Sequence, residues 1–274
     1  MRARPTAPIV IFNADDFGLC APVNEAIVAC FPDALSSTSV MVPCRGFQDA
    51  ASRYRSRSVP MSVGLHFTLT TGTSELLAAD YLYGPVGPAR ATLTDGDSLF
   101  WPFGEPLVEN ADAAEVAAEL EAQYNTAVAA GIDITHIDAH MFVGDLPKIG
   151  DVMRVFASDM RLPLVLKDRK ARDGAARGIP DALPCFDSVY ACKGRQQLEE
   201  HLRGLAAGLH YVIFHPAVSG PEIEGILPTS WQRRVDDFAI CQEGTVARCI
   251  ANYGLRTMTM VELRDSMRLG RTFW

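Results

Sequence analysis

Four short stretches of the sequence carry groups able to handle protons or hold a metal ion. Asn13-Ala14-Asp15-Asp16-Phe17-Gly18 sets two adjacent carboxylates directly after an apolar run. Side by side they repel and lose hydration, so a cation or hydrogen-bond donors must offset the cost. An Asp before a helix is often only a cap, but the helical pattern here starts near Val23, poorly placed for either carboxylate. Gly64-Leu65-His66-Phe67-Thr68-Leu69 sets a histidine inside an apolar strand, where a hydrogen-bonded core residue is as natural as a ligand. In Thr135-His136-Ile137-Asp138-Ala139-His140, the strand period of two puts His136, Asp138 and His140 on one face. Metal binding gives that face a purpose, with a ligand histidine steadied by a nearby carboxylate; a wet strand face is the plainer alternative. Finally, Phe214-His215-Pro216 closes the apolar strand Tyr211-Val212-Ile213. A histidine there can act as a general acid, since its ordinary pKa lies near neutrality, or simply cap and pack.

The combination says more than its parts. Asp15/Asp16, His66, His140 and His215 each fall at or near the end of a different strand. One Asp and two His are a usual ligand set for a catalytic divalent ion that keeps a position open for water. The set suits zinc, while magnesium, manganese, cobalt and nickel stay open. His201 and His210 fall on a helix and at a strand start and take no role.

The elements that must position these groups alternate in type. Strand patterns at Pro8–Ala14, Ser37–Val42, Val63–Thr70, Ile134–His140, Leu162–Leu166 and Tyr211–Phe214 are separated by helical ones, the clearest being Ala113–Ala130. A long helix is expected over Trp231–Tyr253 and a last strand over Thr257–Val261. This alternation predicts an α/β fold of mostly parallel strands, an irregular (β/α) TIM-like barrel forming one domain over residues 1–274. Residues 71–110 break the rhythm with Pro, Gly and aromatics (Tyr81, Tyr83, Phe100, Trp101, Phe103), an insertion that fits either a functional lid or a loop covering the domain's edge.

Composition narrows the partners. Thirty-three acidic residues against 25 Lys and Arg, a net charge of −8, give no basic field for nucleic acid. The N-terminus lacks a signal-peptide pattern, and no run has the roughly 18 uncharged apolar residues of a membrane span. Seven widely spaced cysteines without a Cys-x-x-Cys pair fit reduced thiols of a cytoplasmic protein.

The four motifs in this order resemble those of the YdjC-like carbohydrate deacetylases, which include chitooligosaccharide deacetylases and hopanoid-biosynthesis-associated deacetylases. The resemblance runs from Ile9 to about Leu263. It implies a barrel that removes N-acetyl groups from an amino sugar or N-acetylated oligosaccharide using one divalent metal ion. Carried over by motif position, it makes Asp16, His66 and His140 the metal ligands, Asp15 the general base and His215 the general acid, with His136 and Asp138 as supports. Trp101 and Tyr83 become candidates for stacking on a sugar ring, and a homodimer is common in such families. One departure follows His140. Where family members continue with histidines at alternate positions, this chain has Met141-Phe142-Val143-Gly144, which alters the substrate pocket. Two other readings accompany this one: a sugar-binding homologue with altered catalysis, and a metal-dependent hydrolase of another small amide or a phosphoester.

Overall fold

The structure, a computed structural model, describes residues 7–72, 81–88, 90–166, 183–184 and 194–270. Cys185, Cys192, residues 73–80 and 89 of the insertion, and most of the Gly- and Asp-containing sequence between Leu166 and Val189 lie outside these. Strand β1 (Pro8–Phe17) is buried almost throughout, as a strand covered on both faces must be. It is followed by α1 (Ala21–Ala29), β2 (Ser37–Val40), α2 (Phe47–Ser56) and β3 (Val63–Phe67). After the insertion come α3 (Glu105–Asn110), α4 (Ala113–Ala129), β4 (Ile134–Ala139), a 3-10 turn (His140–Asp145) and α5 (Pro147–Met160). The rest is β5 (Val165–Leu166), β6 (Leu183–Pro184), α6 (Arg195–Arg203), β7 (Gly208–Phe214), α7 (Pro221–Ile226), α8 (Trp231–Gln242), α9 (Thr245–Tyr253), β8 (Arg256–Thr257) and α10 (Met260–Arg268).

Among the described residues, every pairing between these strands is parallel. The main sheet runs β4-β3-β2-β1-β7, with β8 beside the start of β1. The short β5–β6 pair attaches to β4 through a bridge from Ile137 to Leu164 and a 2.9 Å bond from the Ile137 N–H to the Pro163 carbonyl. The strands form a half-barrel; hydrogen bonding that would close it is absent among the described residues. Asp15, Asp16, His66, His140 and His215 sit at or near the carboxyl ends of these strands, where a parallel α/β fold gathers its ligands.

Three sequence expectations shift. β1 continues to Phe17, so Asp15 and Asp16 lie in the strand rather than past it, across an irregularity in its register with β2. The expected helix Trp231–Tyr253 is two helices, divided where Gly244 takes a left-handed φ of 70°. The expected strand Thr257–Val261 ends at Thr257, because Thr259 and Glu262 form a capping box that draws Met260 and Val261 into α10. Within the insertion, Tyr83, Leu93, Phe100 and Leu107 are buried in the core, and the Thr71 and Gly72 N–H groups bond the Trp101 and Pro102 carbonyls at 3.0 and 2.9 Å. The described part therefore covers the end of β3. α4 grips the same end: buried Gln123 bonds both the N–H and the carbonyl of Thr68.

The β1 turn is held by Asn24, buried on α1. Its Oδ1 accepts from the Gly18 N–H at 2.6 Å, and its Nδ2 donates to the Gly46 carbonyl at 2.9 Å and to Asp49 at 2.8 Å. A side-chain amide is the group that accepts and donates at once in this way. Asn24→Ala strands the buried Gly18 N–H, at a cost of about 1–3 kcal/mol, while the Gly46 carbonyl keeps its bond from the Ala50 N–H. The expected outcome is a fall in denaturant midpoint equivalent to about 1–3 kcal/mol, and an unchanged midpoint would contradict it.

Candidate active site

Asp15 and Asp16 point different ways because the backbone between them twists. Asp16 has a φ of 69°, a left-handed value that Asp tolerates better than most residues. Its Oδ2 accepts from Arg234 Nη2 at 2.6 Å, a buried pair between β1 and α8. Burial would raise the Asp16 pKa, but Arg234 and the two neighbouring histidines outweigh it and hold the carboxyl well below its ordinary value. Asp16 Oδ1 is buried and accepts no hydrogen bond of good geometry.

Around that oxygen stand His66 Nε2 at 3.4 Å and His140 Nδ1 at 3.2 Å, and the two nitrogens are 3.3 Å apart. Ligand atoms about 2.0–2.1 Å from a tetrahedral ion lie about 3.3–3.4 Å from one another, so the triangle has the dimensions of a cation site. The donor types agree. On its other side His66 Nδ1 meets Asp138 Oδ1 at 2.8 Å, which places the ring proton there and turns the Nε2 lone pair toward Asp16. Burial opposes charge on His66, yet Asp138, Asp15 and Asp16 together raise its pKa well above ordinary. The bare cluster therefore attracts a positive charge to the spot between the carboxylates. Burial lowers the His140 pKa, which keeps that imidazole neutral and able to ligate.

Asp15 lies beside this triangle. Its Oδ1 accepts from Asn13 Nδ2 at 2.7 Å and Ser39 Oγ at 3.3 Å. Its Oδ2 faces His215 Nε2 at 3.8 Å and His66 Nε2 at 3.9 Å. Burial, seconded by Asp138 and Asp16, raises Asp15 to about 7 against the opposing field of His66. Burial lowers His215 to about 3, and Asp237 Oδ2 fixes its backbone N–H at 2.8 Å. A second pattern, Asp15, His66 and Asp138, also brings ligand-type atoms together, but hydrogen bonds to Asn13 and Ser39 already take up Asp15 Oδ1, and those to His66 and Tyr211 both oxygens of Asp138.

All five candidates taken from the sequence thus meet at one point. His136 and Asp138 support from behind: Tyr211 Oη donates to Asp138 Oδ2 at 3.1 Å and stands 3.2 Å from His136 Nε2, while burial keeps His136 neutral with a pKa near 4. His210 bonds the Ala206 carbonyl, away from the site. Tyr83 is no platform for a sugar, being buried with its hydroxyl on the Thr70 and Thr71 carbonyls, whereas Trp101 is half-buried. Sequence reasoning missed Arg234, Asp237, Ser39, Asn13 and Tyr211.

Fold and site together define a parallel α/β protein with an Asp/His cluster at its strand ends. The chain belongs to the YdjC-like protein family, whose model matches residues 9–252. It is 32% identical over 187 residues to a chitooligosaccharide deacetylase of Yersinia enterocolitica, covering 66% of this chain and 69% of the relative. The chitooligosaccharide deacetylase of Yersinia pestis is 29% identical over 260 residues, covering 90% and 96%. A crystal structure of an Enterococcus faecalis protein, described as a candidate cellobiose-phosphate cleavage protein, superposes with a TM-score of 0.80 at 20% identity, covering 94% of this chain and 99% of the other. Among the described residues no helix is long and apolar enough to cross a membrane. Cys20, Cys30, Cys44, Cys241 and Cys249 are free and buried.

Proposed function

We propose that this protein hydrolyses the N-acetyl group of an amino sugar or N-acetylated oligosaccharide, with one divalent cation held by Asp16, His66 and His140 in an irregular (β/α) barrel. The observation that carries the reading is the placing of a carboxylate, Asp15, beside the converging donor atoms of that triangle and facing His215. A cation held there by Asp16, His66 and His140 would supply Lewis acidity to the acetyl carbonyl and would acidify a water.

The chain's own residues do the rest. Asn13 and Ser39 hold Asp15 Oδ1, which leaves Oδ2 to take a proton from the attacking water. Without a cation burial raises this carboxyl to about 7, and a cation beside it would favour the ionised form that accepts a proton. His215 starts neutral, so it becomes an acid only when the proton taken by Asp15 moves on to its Nε2 and from there to the amine nitrogen. Contacts of 3.8 Å in a substrate-free site commonly shorten once substrate is bound. Arg234 balances the charge of Asp16 and orients it. The binding-only reading fits less well, since a sugar binder has no use for a carboxylate and a histidine that face each other as a base and acid pair.

The test is acetate release from N-acetylated mono- and oligosaccharides, with and without chelator. Release that stops with chelator and returns with added metal is expected; phosphate release from phosphoesters without acetate release would replace this reading. For His140→Ala, elemental analysis should show the bound metal gone, and an unchanged stoichiometry would remove His140 from the ligand set.

A further inference from the structure

The proton donor proposed above stands where the sheet stops holding its backbone. Pairing of β7 with β1 ends at Phe214 and Ala14, so His215 is the first residue beyond it. Pro216, next in the chain, has no N–H with which to anchor the turn. The N–H groups on either side of it are taken up by one turn of α8. That of His215 donates to Asp237 Oδ2 at 2.8 Å, and that of Ala217 donates to the Arg234 carbonyl at 3.1 Å. The next one, of Val218, reaches the Pro22 carbonyl at the start of α1, also at 3.1 Å.

Arg234 and Asp237 are three residues apart, hence on one face of the helix, and both are buried. That face contacts two different halves of the site. Through its guanidinium, Arg234 holds Asp16 Oδ2 at 2.6 Å, beside the triangle of donor atoms. Through its carboxylate, Asp237 holds the main chain of His215, whose Nε2 stands 3.8 Å from Asp15 Oδ2. The imidazole is carried on that main chain, so a shift of the backbone moves the ring. A general acid serves only within hydrogen-bond reach of the atom it protonates, and a displacement of about 1 Å can cost about 10²-fold in rate.

We infer that Asp237 is a positioning residue for the proton transfer to the leaving amine. Its hydrogen bond to the His215 backbone sets the imidazole against the nitrogen of the breaking C–N bond, while Arg234, on the same helical face, sets Asp16. The inference rests on the amide-hydrolase reading and adds to it the group that places the acid.

The leaving group separates positioning from a purely structural role. An amine leaves only when it is protonated, whereas nitrophenolate leaves as the anion and needs no acid. Acetate release from N,N′-diacetylchitobiose and from 4-nitrophenyl acetate is compared for the parent, His215→Ala, Asp237→Ala and Asp237→Asn, with the divalent metal that best supports the parent. Asp237→Ala should lose on the order of 10²-fold in kcat on the sugar amide with KM little changed. It should keep most of its rate on the ester and bind metal at the parental stoichiometry. Asp237→Asn, whose amide oxygen can still accept from the His215 N–H, should recover most of the loss. Should Asp237→Ala lose its fold by circular dichroism, Asp237→Ser carries the same comparison, since its hydroxyl stops one bond short of the Oδ2 position. Should the parent leave the ester untouched, the split between kcat and KM on the amide, at parental metal content, decides instead. Equal losses on amide and ester, no loss on the amide, or no recovery in Asp237→Asn overturns the positioning role alone. Full amide turnover by His215→Ala removes the acid, and the inference with it. Absence of acetate release from the sugar by the parent overturns the hydrolase reading itself.

Discussion

Asp16→Asn is expected to abolish stoichiometric cation binding and acetate release together, and to destabilise the metal-free protein by about 3 kcal/mol. The carboxylate serves two partners at once. Oδ2 accepts from Arg234 at 2.6 Å, and Oδ1 faces His66 and His140. An amide of the same shape has only one acceptor. If it turns that oxygen to Arg234, its NH2 group faces two imidazole nitrogens and no anionic ligand remains; turned the other way, it leaves the buried guanidinium opposite an NH2 group. Removing one partner of a buried ion pair typically costs about 3–5 kcal/mol, and a surviving amide contact places this variant at the lower end. Denaturant unfolding in chelator reads the stability change without contribution from bound metal. Metal retained through dialysis at parental stoichiometry would remove Asp16 from the ligand set, whatever happens to stability.

The same residue shows what sequence could and could not reveal. The period of a strand placed His136 and Asp138 on one face, and both converge on Tyr211 behind the cluster. Motif order brought Asp15, Asp16, His66, His140 and His215 to strand ends. Arg234 and Asp237 carried no comparable mark, because charged residues in a helix that begins Trp-Gln-Arg-Arg-Val-Asp-Asp look like a solvated face. Their spacing with Ile240 and Cys241, at three- and four-residue intervals, puts them on the buried side of α8. A salt bridge between residues 16 and 234 depends on how α8 packs against β1, which no local pattern encodes. The three hydroxyls of Ser37-Thr38-Ser39 were legible only as part of a strand, although all are fully buried and Ser39 reaches both Asp15 and His66. The helix break at Gly244 and the capping box at Thr259 were local signals, overridden in the sequence reading by continuous apolar periodicity.

Asp15→Asn should retain the cation, lose about 10²–10⁴-fold in turnover, and yield a more stable protein. The substitution keeps the side chain's volume, and the amide oxygen can still accept from Asn13 and Ser39. What it removes is the atom facing His215 that takes a proton, so the base and the onward path to the leaving amine fail together. Stability moves the other way because burial raises this carboxyl from 3.8 to about 7. A raised carboxyl binds its proton more tightly in the folded state, so ionising it as pH climbs from about 4 to 7 works against folding. The Asn variant escapes that penalty, which by the size of the shift amounts to at most about 4 kcal/mol. In metal-free samples the variant should therefore unfold later than the parent at pH 8, with the gap narrowing to nothing near pH 4. The comparison belongs in chelator, since a cation beside Asp15 would itself favour the ionised form. Full activity in the variant would end the role of Asp15 as base. A variant that is inactive and also less stable at pH 8 would show instead that Asp15 holds the site together, and a buried charge kept for chemistry would be the wrong account of it.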